Sequence, residues 1–485
     1  MNPPTPPANS RMLPTIGAVT CVEFFENSLV TFSAARIMAG LALTPEQFAF
    51  AFTLYGVAAI IMLYKHQWVV ERIGYRDFVL ASLAVFSLGS VLCGSAGGVS
   101  QFALGRLLQG LGGATFFTAG RMAIETLAPA ARFHGSLVFI TSLMLGTALG
   151  PLLATLLSDG FGWRAVFFCL PPLSAAVALI AAPCLSRATV PPPERSGEHW
   201  GWLLWMALGV FGLQYAIQEV ASAGSPSAAP TGPLALASIA ILGLFAWRQW
   251  HRERPLIDYR GLFQRRYLLG MLFYFAGYFM LGAGGFLLPL FLELGVGLTP
   301  WMTMALVSAG LFMTLLAALS HLALARRWPK NRLFMLLGLT VYAGANVLFA
   351  LQTFDDAAGA PWPALLAPIL LGGAAMPFFL GSTAGGAFSD LPPAVFSHGY
   401  QVKNILRQLG LSSSVALATL ALRLNYPRAG GAGGAHAIPH WEQVLHISGQ
   451  GFSPALAAAC GDVFLLLALL AVPVAMIVGA QKIFR

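Results

Sequence analysis

Charge is scarce in this sequence. Of 485 residues, 27 are Lys or Arg and 18 are Asp or Glu, so charged side chains make up 9% while 57% are hydrophobic. A soluble globular chain carries about a quarter charged residues. Folded in water, this chain would present apolar surface everywhere, so the class expected is an all-α polytopic membrane protein. Cysteine is scarce too. The five (Cys21, Cys93, Cys169, Cys184, Cys460) sit in or beside apolar stretches, without metal-ligand spacing or a disulfide pattern, and read as small packing residues. There is no G-x-x-x-x-G-K-[ST] motif and no polar stretch large enough for a nucleotide domain, which excludes an ATP-driven machine and gives no sign of an enzyme. The nine histidines are scattered. The group His436, His440 and His446 is interrupted by Pro439 and reads as an outer loop, so no metal is expected. The net charge of +9 lies in short loops rather than in one stripe, so it reports topology and not nucleic acid.

What is abundant is apolar segments of near 20 residues, the length a bilayer requires. Fourteen are expected, near 15–38, 47–64, 78–97, 101–124, 136–158, 164–184, 201–221, 231–248, 268–290, 301–323, 333–352, 362–385, 403–424 and 455–479. Lys65, Arg72, Arg76, Arg132, Arg187, Arg195, the group from Arg248 to Arg266, and Arg326 to Arg332 fall on one side when the N-terminus is placed inside. This predicts a multi-pass protein of the cell inner (plasma) membrane with both termini cytoplasmic. The Pro-rich start lacks an uninterrupted apolar run and reads as a tail before a retained first span.

The chain also repeats itself. LAPAARFHG (127–135) returns as LPPAVFSHG (391–399), and Leu145-Gly146 returns at the same offset as Leu409-Gly410. Leu111-Gly112-Gly113-Ala114 recurs as 371–374, and Arg72 and Gly89 recur as Arg327 and Gly344. The order is unchanged, which predicts two homologous six-helix halves. Residues 1–14 form a tail, 15–185 one bundle, 186–267 a linker with two extra helices, and 268–485 the second bundle. Parallel repeats of this kind belong to secondary transporters with a cavity between the halves.

Few residues in the spans could carry chemistry. Glu23 and Glu26 lie near the middle of the first span, one helical turn apart on about one face. Two ionised carboxylates that close in low dielectric repel, which suits groups that bind and release a proton. The plainer alternative is a carboxylate that only holds a neighbouring helix. Arg106 starts the fourth span as an ion-pair or relay partner, or as a snorkelling surface arginine. Gln109 and Gly110 follow it. Gly146, Gly150 and Pro151 form a small-residue contact with a helix breaker, either for gating or for ordinary packing. Glu71, Arg72, Gly74 and Arg76 could form a charge latch in the first inner loop or serve only as topology signals. Phe50, Tyr55, Tyr274 and Tyr278, with Phe24 and Phe25, could line an aromatic cavity for apolar cations.

These stretches resemble the major facilitator superfamily, and within it the fourteen-span drug:proton antiporters of the EmrB/QacA type. FENSLVTFSA (25–34) is similar to that group's first-span signature, with Glu26 in place of its Asp. GRLLQGLGGA (105–114) is similar to the fourth-span arginine motif, and LGTALGP (145–151) to the antiporter motif. GWRAVFFCLPP (162–172), the stretch 252–267, and NILRQLG (404–410) fit as well. The inner-loop motif departs, with Gln67, Glu71 and Tyr75 at three of its positions, and so does the end of the antiporter motif, at Ala154 and Thr155. The resemblance implies export of hydrophobic or amphipathic small molecules in exchange for protons, with Glu26, Glu23 and Arg106 as the coupling residues. It implies no cofactor beyond the proton gradient. In a host with two membranes it implies a periplasmic adaptor and an outer-membrane channel as partners. The departures leave open a narrow metabolite or siderophore exporter, or a proton-coupled importer, on the same fold. A channel or a non-transporting scaffold is a further alternative, against which the placement of Glu26 and Arg106 argues.

Overall fold

An apolar segment in a bilayer must satisfy its own backbone hydrogen bonds, and a helix does so locally. The computed structural model describes residues 9–43, 45–192, 195, 200–223, 231–253, 255–352, 362–392, 395–426 and 454–484. Every regular element among them is helical. The three histidines of 436–446, and Pro393 and Ala394 of the repeat, lie outside the described residues.

The first part of the chain forms α1 (Asn9–Phe32), α2 (Ala34–Leu41), α3 (Pro45–Ile73), α4 (Tyr75–Gly94), α5 (Val99–Gly113), α6 (Phe116–Glu125), α7 (Arg132–Phe161), α8 (Ala165–Phe168) and α9 (Leu170–Ala181). Then come α10 (Trp200–Ala223), α11 (Thr231–His251) and the short α12 (Tyr259–Leu262). The rest forms α13 (Arg265–Leu290), α14 (Pro300–Arg327), α15 (Asn331–Ala350), α16 (Trp362–Ala387), α17 (Phe396–Asn425) and α18 (Pro454–Ala480). Each of the fourteen expected segments falls on a helix or a broken pair of helices. Among the described residues, nine helices are long and apolar enough to cross a membrane.

The breaks have local causes. The expected span 101–124 divides into α5 and α6 just after Gly112-Gly113, where helix propensity is weakest. The span 164–184 divides at Cys169, ahead of Pro171 and Pro172, which carry no backbone N–H. Pro289, near the end of α13, precedes a single π-helical turn at Phe291–Gly295.

The two parts are built alike. In the first, α1 lies along α7, and α5 packs on α3 and α4; in the second, α13 lies along α17, and α16 packs on α14 and α15. The repeated loops pack alike as well. A Cβ on Gly135 would meet Leu127 Cδ1 at 2.6 Å, and one on Gly399 would meet Leu391 Cδ1 at 3.0 Å. A Cβ on Gly146 would lie 3.4 Å from Phe25 N of α1, and one on Gly410 3.4 Å from Phe279 N of α13. One turn further on, glycine and serine change places. Gly150 of α7 abuts the Ser28 hydroxyl of α1, whereas Ser414 of α17 abuts Gly282 of α13. The glycine–proline pair is confined to the first half, but the close contact occurs in both.

The parts meet along two seams, α7 on α14 and α3 with α6 on α17. The pair α10 and α11 pack on each other, and α10 lies against both α3 and α17. Arg407 and Lys403 of α17 lie near the second seam, with Glu23 of α1 paired to Arg407.

Candidate functional site

The first half of the site is an ion pair. Arg106 of α5 and Glu26 of α1 are both fully buried, and Arg106 Nη1 donates to Glu26 Oε1. The same nitrogen donates to Gln109 Oε1 at 2.7 Å, one turn along α5. Gln109 Nε2 in turn donates to Ser90 Oγ of α4 at 2.9 Å. The guanidinium lies 4.4 Å from the Tyr55 ring centroid and 4.8 Å from that of Phe52, so α3 roofs the pair with aromatic faces. Gly110 keeps that roof close, because a Cβ there would overlap the Tyr55 carbonyl. Arg106 is therefore a core residue, as the ion-pair reading expects, and not a snorkelling one.

The second half depends on the helix break. The first N–H groups of a helix have no partner within it. Phe117 stands at the start of α6, and its N–H donates to Glu23 Oε2 at 3.0 Å. Glu23 Oε1 accepts from Arg407 Nη2 of α17, and both side chains are buried. The two carboxylates on α1 thus take different arginines, Glu26 one from its own half and Glu23 one from the other half. Burying a charge is costly without a partner and further hydrogen bonds; each pair has one further bond, from Arg106 to Gln109 and from Phe117 N–H to Glu23, while Glu26 Oε2 and two Arg106 nitrogens have none among the described residues.

Below Arg407, α17 presents a polar face to α6. Asn404 Nδ2 donates to Thr118 Oγ1 at 2.8 Å. Tyr400 Oη accepts from Arg121 Nε at 2.7 Å, and Arg121 also pairs with Glu125 at 2.8 Å. Lys403 lies between these turns, with Nζ 4.6 Å from the Phe117 ring centroid, 4.9 Å from Tyr274 and 5.1 Å from Tyr400. Tyr274 stacks on Tyr278 of the same helix, centroids 5.9 Å apart.

Arg407, Lys403, Asn404, Tyr400, Thr118 and Arg121 were not among the sequence candidates. The expected span began at 403, which placed Lys403 at a helix end. The helix starts at Phe396 instead, so Lys403 and Arg407 lie two and three turns inside it. The cost of a charge inside an apolar span, which marked Glu26, would have marked them too.

Other candidates fall elsewhere. Phe50 is 37% exposed and meets Phe211 of α10 edge-on at 6.0 Å, away from the pairs; Phe52 takes the inward position. Phe24 lies against Arg407 at 5.2 Å. Gly146, Gly150 and Pro151 are buried in the α1–α7 contact. In the first inner loop, Gly74 adopts φ 83°, a conformation suited to glycine, and its backbone passes against Arg187. Arg76 N–H donates to Ser186 O at 2.8 Å, and Val190 N–H to Glu71 O at 2.9 Å. Arg72 covers the Trp68 ring at 3.9 Å and stands 3.9 Å from Glu71. The loop is thus bound to the segment after α9 through its backbone. Among the described residues no group of His, Cys, Asp and Glu is arranged to hold a metal ion.

Two repeated bundles with buried charges along their seam are the form of a transporter that works from a central site. The sequence pattern of the Major Facilitator Superfamily matches residues 16–415. The chain belongs to the Major Facilitator Superfamily. It is a multi-pass membrane transporter of that superfamily's all-α fold. It is similar to the "Putative multidrug resistance protein MdtD" of Cronobacter sakazakii, 25% identical over 437 residues, covering 87% of this chain and 88% of that protein. The protein of that name from Klebsiella pneumoniae is 26% identical over 418 residues, covering 83% and 84%. Among solved structures, the POT family transporter PepTSo superposes with a TM-score of 0.63 at 15% identity, covering 99% of this chain and all of that one. That likeness concerns the fold alone.

Proposed function

We propose that this superfamily member is a proton-coupled exporter of hydrophobic or amphipathic small molecules, of the fourteen-span drug:proton antiporter group. The observation that carries the reading is the fully buried Glu26–Arg106 pair, with Glu23–Arg407 beside it across the seam. The similarity to proteins described as multidrug resistance proteins supports the export direction. In this reading the two halves, 15–185 and 268–485, rock about the seam, and both termini face the cytoplasm. Residues 186–267 add two helices beside it. In a two-membrane host a periplasmic adaptor and outer-membrane channel would complete the route.

The chemistry follows from the pairs. A proton arriving from outside neutralises Glu26 and removes the charge that Arg106 faces, and substrate leaves. Release of the proton inside restores the pair and readies the site for the next substrate. Glu23 links this event to the rocking motion, because its arginine belongs to the other half. Separating an ionised buried pair costs about 3–5 kcal/mol, and a protonated Glu23 avoids much of that cost.

Purified protein in liposomes with an imposed pH gradient tests the reading. Wild type moves a lipophilic dye against its own gradient, and Glu26→Gln moves it only down its gradient. Full gradient-driven transport by Glu26→Gln would overturn the coupling assignment, and uptake with the protons rather than against them would make the protein an importer.

A further inference from the structure

The buried charges of the seam do not cancel. Glu26 is matched by Arg106 and Glu23 by Arg407, while the partly exposed Glu125 pairs with Arg121 and Arg132. Lys403 is left over. It is 5% exposed, and among the described residues no carboxylate lies within ion-pair distance of it. Its contacts are the faces of three rings, from Phe117 of α6, Tyr274 of α13 and Tyr400 of α17, so both halves build the cage around it. The Tyr274 hydroxyl is also buried and has no hydrogen-bond partner.

An ammonium carries three N–H donors, and ring faces satisfy them only partly. A buried site with surplus positive charge repels a lipophilic cation and attracts an anion, more strongly than the same charges would in water. The ring faces that could have held a cation are already turned to Lys403. An incoming anionic group would meet the ammonium and the Tyr274 hydroxyl together, and the apolar remainder of the molecule would meet Phe117 and Tyr278.

We propose that Lys403, with Phe117, Tyr274 and Tyr400, is the subsite for an anionic group on the transported compound, so that amphipathic organic anions are the preferred substrates. This deepens the exporter reading and rests on it. It also revises the expectation of an aromatic cavity for cations.

The test uses three probes that share one ring: 1-naphthoate, 1-naphthamide and 1-naphthylmethylammonium. Equilibrium binding of each is measured on the purified full chain in nanodiscs without a pH gradient. Wild type binds naphthoate at least about tenfold more tightly than either of the others. Lys403→Gln abolishes the preference, Lys403→Arg keeps it, and Tyr274→Phe weakens naphthoate binding while leaving naphthamide unchanged. Melting temperature and elution profile check that the variants fold; if Lys403→Gln does not fold, Tyr274→Phe and Lys403→Arg carry the test. Naphthoate bound no better than naphthamide by wild type, or a preference that survives Lys403→Gln, overturns the proposal. Because no gradient is applied, binding reads the subsite apart from coupling. A naphthoate preference without gradient-driven transport would sink the exporter reading and leave the anion subsite standing. Gradient-driven transport without that preference would do the reverse.

Discussion

Arg407 of α17 donates to Glu23 of α1, and the two residues stand on opposite halves of the molecule. The pair therefore reports the fit of the halves to each other. Arg407→Ala leaves Glu23 buried without its charge partner and is expected to destabilise the protein by about 3–5 kcal/mol. Glu23→Gln combined with Arg407→Gln recovers most of that loss. Thermal unfolding of Glu23→Gln, Arg407→Gln and the double variant in detergent gives the coupling directly. Additive effects would mean that the pair is not formed.

Arg106 uses one nitrogen for Glu26 and Gln109 together and lies flat against Tyr55 and Phe52. A lysine keeps the charge but loses the planar fork and the ring stacking. Arg106→Lys is expected to fold, and to transport at no more than about a tenth of the wild-type rate, the loss that ~1.4 kcal/mol produces. Initial rates in proteoliposomes decide this, and wild-type rates would show that charge alone suffices.

Gly150 against Ser28 and Gly282 against Ser414 are the same contact with its members exchanged. Gly150→Ser alone places two side chains in space for one and is expected to lower folded yield sharply, because overpacking a tight contact costs about 1–3 kcal/mol. Adding Ser28→Gly rebuilds the arrangement of the other half and restores the yield. Size-exclusion profiles and melting temperatures of the single and double variants check it. A double variant as damaged as the single one would show that the two contacts are not equivalent.

Arg132 and Asp159 lie near opposite ends of α7. In the proposed topology, which puts both termini in the cytoplasm, a single cysteine at 132 is expected to react with a membrane-impermeant maleimide only in inverted vesicles, and one at 159 only in intact cells. The five native cysteines are first replaced, and the reverse labelling pattern would invert the topology.

Much of this was legible in the residues themselves. Scarce charge sets the class, since a chain with so few ionised side chains cannot cover itself in water. Segment length sets the helices, because about 20 apolar residues span a bilayer as a helix, whereas a barrel strand needs only about half as many. The same cost of buried charge marks Glu23, Glu26 and Arg106 before any contact is known, and the repeated loop announces two similar halves. What the tertiary structure alone decided is which charge meets which. Glu26 and Arg106 are 80 residues apart in the chain, and Glu23 and Arg407 are 384 apart. It also decided that Phe50 turns away from the pairs, that Lys403 is caged by rings of both halves, and that the break after Gly113 leaves Phe117 N–H free to donate to Glu23. The physical reason lies in the bilayer. A helix there is apolar toward lipid and largely apolar toward its neighbours, so it lacks the two-sided pattern by which a helix in water reveals its inner face.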